Sequence, residues 1–197
     1  MTRRGRTTRV AGALLGAAIA GGCASLTVMS HVPLSTMSRL ASLKLAEIDP
    51  DELRVAARLP DALEPRSHGV KVRIDVAGMK HGKDSAAELI LEPAVEPSEL
   101  TPPSAQRRAG HRIWAYRLSH SDVDRLKALI AAASGASGVS IAAGVEACYR
   151  KPYGSAALPT TTFLKTNATG FFVLTEDLDL RSIVSQQDLA LRVPPCL

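Results

Sequence analysis

The chain has 197 residues, of which 24 are lysine or arginine and 19 are aspartate or glutamate, and its formal net charge is +5. Four of the cations and none of the acids precede Cys23, so the chain from Cys23 onward carries 20 cations against 19 acids. This near-neutral balance argues against a nucleic-acid-binding protein, and the length is enough for one domain with a real core.

The N-terminus has the pattern of a secretory signal peptide. Four arginines and no acid lie within the first nine residues, and an apolar stretch follows over residues 10–20. A basic segment ahead of an apolar one of this length is typical of signal peptides, whereas a helix across the roughly 30 Å of bilayer hydrocarbon needs about 20 apolar residues. We therefore expect residues 1–22 to be a signal peptide.

Two cleavage sites are open at the end of this segment. Residues 20–23, Ala-Gly-Gly-Cys, resemble the lipobox of bacterial lipoproteins. The resemblance implies that Cys23 is acylated and anchors the protein to a membrane of the cell envelope. Ala24 then implies the outer membrane, facing the periplasm, rather than the inner membrane. The alternative is an A-x-A site at residues 18–20, which would secrete the protein with Cys23 as an odd thiol.

Two segments early in the mature chain alternate between apolar and polar residues. We assign residues 23–36 to a lipid-anchored tether and residues 37–197 to a single domain. Within that domain, residues 53–59 and 70–76 place an apolar side chain at every second position, which indicates strands with one buried face. The connector between the two segments contains prolines and glycine, and predicts that the strands pair antiparallel.

The middle of the chain predicts two more strands, a loop and a helix. Residues 87–91 and 111–118 are the predicted strands, and residues 93–110, with four prolines, are expected to be a mobile loop. Residues 121–134 predict the main helix, because Ser121 can cap it and apolar residues recur at helical spacing.

The C-terminal third is predicted to be mostly strand. Residues 139–149 alternate over a long stretch, and residues 160–166 and 171–175 predict a hairpin closed by a turn with Gly170. Residues 177–184 predict a short helical turn. Together the elements predict an α+β fold: a mostly antiparallel sheet or loose sandwich of about six to seven strands, with one main helix.

Cys148 and Cys196 are predicted to form a disulfide. Once Cys23 is acylated, these two are the remaining cysteines of the chain. Disulfides persist in the oxidising periplasm, Cys148 falls on the polar face of its predicted strand, and Cys196 lies on the terminal tail. We expect a structural bond that pins the tail to the sheet, because no CxxC spacing indicates redox catalysis.

Basic side chains suggest a surface for an anionic partner. If the first two predicted strands pair symmetrically, four cations share their wet face: Arg54, Arg58, Lys71 and Arg73. Such a stripe fits phospholipid or lipopolysaccharide head groups, or a cell-wall polymer. The alternative is a solvated face whose charges are met by Glu88 and Glu92 of the next strand.

No residue pattern indicates catalysis or metal binding. The five histidines have no partner at metal-ligand spacing, and the sequence has no nucleophile elbow, P-loop or dinucleotide-binding motif. We expect no cofactor. The sequence favours a non-enzymatic, membrane-tethered envelope lipoprotein that acts as an interaction or structural module, with an envelope protein or polymer as partner. The alternative is a periplasmic carrier for a lipid-like or other small apolar ligand.

Overall fold

Seven strands, four α-helices and two short 3-10 helices, Leu45–Glu47 and Pro50–Glu52, occupy the part of the chain that the structure describes. The structure is a computed structural model, and it describes residues 30–78, 85–94 and 106–196. The strands are β1 (Arg54–Pro60), β2 (Leu63–Ala77), β3 (Ser85–Pro93), β4 (His111–Leu118), β5 (Gly138–Tyr149), β6 (Pro159–Thr166) and β7 (Gly170–Asp179). The helices are α1 (Leu34–Ser42), α2 (His120–Ala132), α3 (Leu180–Ile183) and α4 (Gln186–Arg192). The expected signal peptide, Cys23 and residues 95–105 of the expected mobile loop lie outside the described residues.

The strands form one curled antiparallel sheet with the shape of a half-barrel. The strand order is β5-β2-β3-β4-β1-β6-β7, and each neighbouring pair is antiparallel. The predicted mostly antiparallel sheet is confirmed, as a single sheet and not a sandwich. The predicted hairpin is also present, since β6 pairs with β7 from Thr166 and Gly170 onward. Gly170 has a φ of +61°, a conformation that favours glycine.

Helix α2 packs its apolar face onto the sheet. Ser119, and not the expected Ser121, caps the helix, because the Ser119 hydroxyl accepts the backbone N–H of Asp122 at 3.2 Å. One main helix is only an approximate description, since α1 has 9 residues against 13 in α2. The main core joins α2 to six strands, and its buried members include Val123, Leu126, Val55, Val72, Leu89, Leu118, Leu164 and Phe172.

The segment that enters the domain covers the outer edge of β7. The backbone N–H of Glu176 donates to the His31 carbonyl at 2.8 Å, and the Thr36 hydroxyl donates to the Val173 carbonyl. We term residues 31–36 the edge strap. The strap and the start of α1 at Leu34 lie just before the boundary expected at residue 37, and they contact β7.

The expected pairing of the first two strands is wrong. A two-residue turn connects β1 to β2, but β1 pairs with β4 and β6, whereas β2 pairs with β3 and β5. Arg58, expected on a wet face, is 6% exposed. Both faces of β1 are buried, because a separate apolar cluster lies on the side away from the main core. That cluster consists of Ala56, Ala94, Ala115 and Phe163.

The C-terminal segment packs against the far end of the sheet. Leu189 of α4 is buried in a cluster with Leu63 of β2. The tail then lies beside the end of β5, where the Tyr149 N–H donates to the Pro194 carbonyl at 2.9 Å and the Cys196 N–H donates to the Tyr149 carbonyl at 3.0 Å. Residues 194–196 therefore pair with one short stretch of the β5 edge.

Candidate functional site

An apolar groove lies between helix α1, the end of helix α2 and the start of strand β5. Its volume is about 640 Å³. Apolar side chains form much of its wall, among them Leu40, Leu43, Ile130, Val139 and Ile141. Lys44 is the one charged residue in the lining, and Glu47, 2.7 Å from its ammonium group, raises the pKa of Lys44. We term this site the edge groove.

Strand β5 is an open edge of the sheet beside that groove. It pairs with β2 along one side, and on the other side, within the described residues, its strand pairing is limited to Tyr149 with Pro195. Residues 138–145 carry no charge, and Val139 is 42% exposed. Alternate N–H and C=O groups of an edge strand point away from the sheet. The edge groove is therefore bordered by a row of backbone donors and acceptors.

The sequence shows that residues 138–145 lack the residues that usually protect an edge strand, but only the fold shows that β5 is at the edge. Natural edge strands are commonly protected by lysine, proline or a bulge. Residues 138–145 contain neither lysine nor proline, which the sequence alone shows. The position of β5 at the edge is set by its long-range pairing with β2, which local alternation does not reveal.

The four cations expected to form one stripe lie apart, on two strands that β3 and β4 separate: Arg54, Arg58, Lys71 and Arg73. On β1, Arg58 is enclosed by partners. Its Nη2 donates to Thr161 Oγ1 and to Asp177 Oδ1, both at 2.8 Å, and its Nη1 donates to the Gln106 carbonyl at 2.9 Å. A cation held in this way is unavailable to an outside ligand, so the expected stripe is wrong.

The two cations on β2 are compensated by nearby acids. Lys71 Nζ lies 3.1 Å from Glu146 and 3.6 Å from Glu88, and these carboxylates, Glu146 foremost, raise the pKa of Lys71. Arg73 forms an ion pair of 2.8 Å with Asp75 of its own strand, which raises the pKa of Arg73. This part of the sheet is therefore a solvated face with locally matched charges.

Cys148 and Cys196 form the expected disulfide. Their Cα atoms are 5.0 Å apart, within the ordinary range, and Cys148 is buried. Glu64 lies opposite Cys148 on the neighbouring strand. Among the described residues these three form the one group close enough to share a metal ion, but the two sulfurs are bonded to each other and offer no thiolate.

Comparisons with other proteins provide no family for this chain. Protein-family models, curated proteins and solved structures gave no match. Within the described ranges, none of the helices is long and apolar enough to cross a membrane. A functional proposal for this protein therefore depends on the chemistry of its own sites.

Proposed function

We propose that this protein is a lipid-anchored envelope protein whose domain binds an extended peptide segment of another envelope protein, without catalysing a reaction. The lipobox-like residues 20–23 support an anchor at Cys23, and Ala24 supports the outer membrane, facing the periplasm. The observation that carries the binding role is the open edge of β5 beside the edge groove.

The chemistry of the edge groove favours a polypeptide as its occupant. An extended peptide can pair its own N–H and C=O groups with those of β5, while its side chains at alternate positions enter the groove. Residues 138–145 of β5 offer no counter-charge, and an unpaired buried charge is costly, so the central residues of the bound segment should be neutral. The partner class is therefore an extended, uncharged segment with apolar residues at alternate positions.

One observation favours a second candidate, a carrier for a lipid-like ligand. The edge groove, at about 640 Å³, falls in the range of roughly 300–1,000 Å³ that is usual for small-molecule sites, and its lining is mostly apolar. An acyl chain would fill such a groove. It would, however, leave the outward backbone groups of β5 without partners, which is the physical reason to rank the peptide first.

A photo-crosslinking residue at position 139 tests the peptide-binding role in whole cells. Val139 lines the edge groove, whereas Ile90, which is 38% exposed on β3, lies outside it and provides a matched control. We expect position 139, and not position 90, to crosslink to an extended neutral segment of one envelope protein. Equal crosslinking at both positions would contradict the proposal.

Two further outcomes of the same experiment have defined meanings. A crosslink from position 139 to a second copy of this chain would identify the edge as a dimer interface. An amphiphile released from the purified protein by organic extraction, together with loss of the protein crosslink, would favour the carrier.

The anchor is tested separately, by the intact mass of the protein purified from its own membranes. A chain that begins at Cys23 and carries acyl chains supports the lipoprotein. A chain that begins at Gly21 without lipid contradicts the anchor but leaves the binding role of β5 open to the crosslinking test.

A further inference from the structure

Basic residues are concentrated where the chain leads into β4. Residues 107–112 read Arg-Arg-Ala-Gly-His-Arg, and the three arginines are exposed. With His111 they line an open cavity of about 650 Å³. We term Arg107, Arg108, His111 and Arg112 the basic corner.

Acidic groups compensate the basic corner only in part. Asp177 lies 3.1 Å from Arg108, but the same carboxylate oxygen also serves the buried Arg58 at 2.8 Å. Asp61 forms an ion pair with Arg112 at 3.5 Å, and both side chains are exposed to solvent. One carboxylate divided between two guanidinium groups leaves residual positive charge at this surface.

Two cations at this end, one in the basic corner and one beside it, lack a carboxylate partner among the described residues. Arg107 and Lys151 are exposed, and neither has an ion-pair partner among the described residues. Lys151 belongs to the same end because the N–H of its neighbour Arg150 donates to the Ala62 carbonyl at 2.8 Å, in the turn that also holds Asp61. The surface around that turn is therefore a region of positive potential.

The chain enters the domain beside the basic corner. The His31 carbonyl accepts the N–H of Glu176, and the next residue, Asp177, contacts Arg108. In an anchored protein, residues 24–30 connect the membrane to this point, and a fully extended segment of that length spans at most about 25 Å. Chain connectivity therefore allows the basic corner to reach the membrane surface.

We propose that the basic corner binds the phosphate groups of anionic lipids in the membrane that carries the anchor. Guanidinium groups match phosphate oxygens with two parallel N–H donors. Each arginine or lysine near an anionic bilayer strengthens binding about fivefold. The orientation of the domain rests on the proposed anchor, whereas the contact between arginine and phosphate does not, so the two proposals can fail separately.

Vesicle binding by the unlipidated mature chain tests this inference. The chain from Gly21 with Cys23→Ser covers both processing sites. We expect it to bind vesicles of equal parts phosphatidylcholine and phosphatidylglycerol, to bind pure phosphatidylcholine vesicles much more weakly, and to dissociate as salt is added. The double variant Arg107→Gln with Arg112→Gln should bind the anionic vesicles about 25-fold more weakly.

A matched pair of substitutions removes the same charge elsewhere. Arg73→Gln with Lys127→Gln changes exposed cations on β2 and α2, and should weaken binding less than about threefold. Equal weakening by the two pairs would overturn the site, since it would show only the diffuse attraction of a cationic protein. Saturable binding of inorganic phosphate at Arg107 and Arg112, without tighter binding to anionic vesicles, would overturn the membrane lipid as its ligand. Circular dichroism of each variant confirms that the fold is retained.

Discussion

The guanidinium group of Arg58 forms an ion pair with the carboxylate of Asp177 at 2.8 Å, although the two residues are 119 positions apart in the chain. The Arg58 side chain is 7% exposed and that of Asp177 is 47% exposed. The cation is thus withdrawn from water while its counter-charge remains at the surface. Only Arg58 pays a large desolvation penalty on folding. Removing the Asp177 charge and removing the Arg58 charge should therefore have different effects on the free energy of unfolding.

Asp177→Asn is expected to lower the free energy of unfolding by about 3 kcal/mol, because it leaves the buried Arg58 charge without a counter-charge. Urea unfolding measures the change. Arg108→Gln is the control, since it removes the exposed partner of the same carboxylate and should cost less than about 1 kcal/mol. Equal losses in the two variants would show that the buried ion pair is not the source of the stability.

Ser119→Ala is expected to destabilise the protein by about 1 kcal/mol, because its hydroxyl accepts an N–H group in the first turn of α2. Ser121→Ala removes a hydroxyl that bonds to Ser119 and does not cap the helix, so its effect should stay below about 0.5 kcal/mol. Thermal or urea unfolding of both variants compares them directly. A larger loss of stability in Ser121→Ala than in Ser119→Ala would show that Ser121 caps the helix.

Replacing Cys148 and Cys196 together by serine is expected to lower the free energy of unfolding by about 4 kcal/mol in the chain-entropy model, because the bond joins residues 48 positions apart. The intact mass of the native protein should rise by two hydrogens on reduction. Cys23→Ser is the control and should leave the unfolding free energy of the unlipidated chain unchanged. An unchanged mass on reduction would contradict the bond.

Tyr116 links stability to high pH. Burial foremost, and then the charge of Glu64, raise the pKa of Tyr116 to about 12. The unfolded chain releases this proton near pH 10, so between pH 10 and 12 the folded state binds more protons, and stability falls as the pH rises. The loss from this group reaches about 2 kcal/mol at the top of that window.

Phenolate absorbance and unfolding measured across this window check the prediction for Tyr116. One of the three tyrosines should ionise late, and Tyr116→Phe should remove that late step and flatten the fall in stability. If the late step persists in Tyr116→Phe, another tyrosine is the buried one.

Local alternation located most of the strands but not their neighbours, and it missed the first seven residues of β2, which begins at Leu63 and not at residue 70. Alternation at residues 139–149 predicts β5 to within one residue at its start. The turn after β1 resembles a hairpin connection, yet the partners of β1 lie in β4 and β6, far along the chain. In the sequence, Arg58 indicated a solvent-exposed face. Its burial is stabilised by Asp177, which is too far away in the chain for a local pattern to reveal the pair.

The edge groove could not be predicted because one of its walls, next to the expected tether, has little apolar signal in the sequence. Helix α1 buries a single residue, Thr36, whose hydroxyl contributes no apolar signal. The other wall depends on where β5 lies in the sheet, which long-range pairing decides. The disulfide was predictable, since the small number of cysteines and the compartment expected from the N-terminal pattern both favoured this pair.

The edge strap also sets the stoichiometry of any association through the sheet. In the described part of the chain, residues 31–36 cover the outer edge of β7. The edge of β5 is therefore the side on which another strand can be added to the sheet. Two copies that joined through β5 would present only their strapped β7 edges and could recruit no third copy. Assembly would end at a closed pair, and the fibre that a sheet with two open sides can seed would not form.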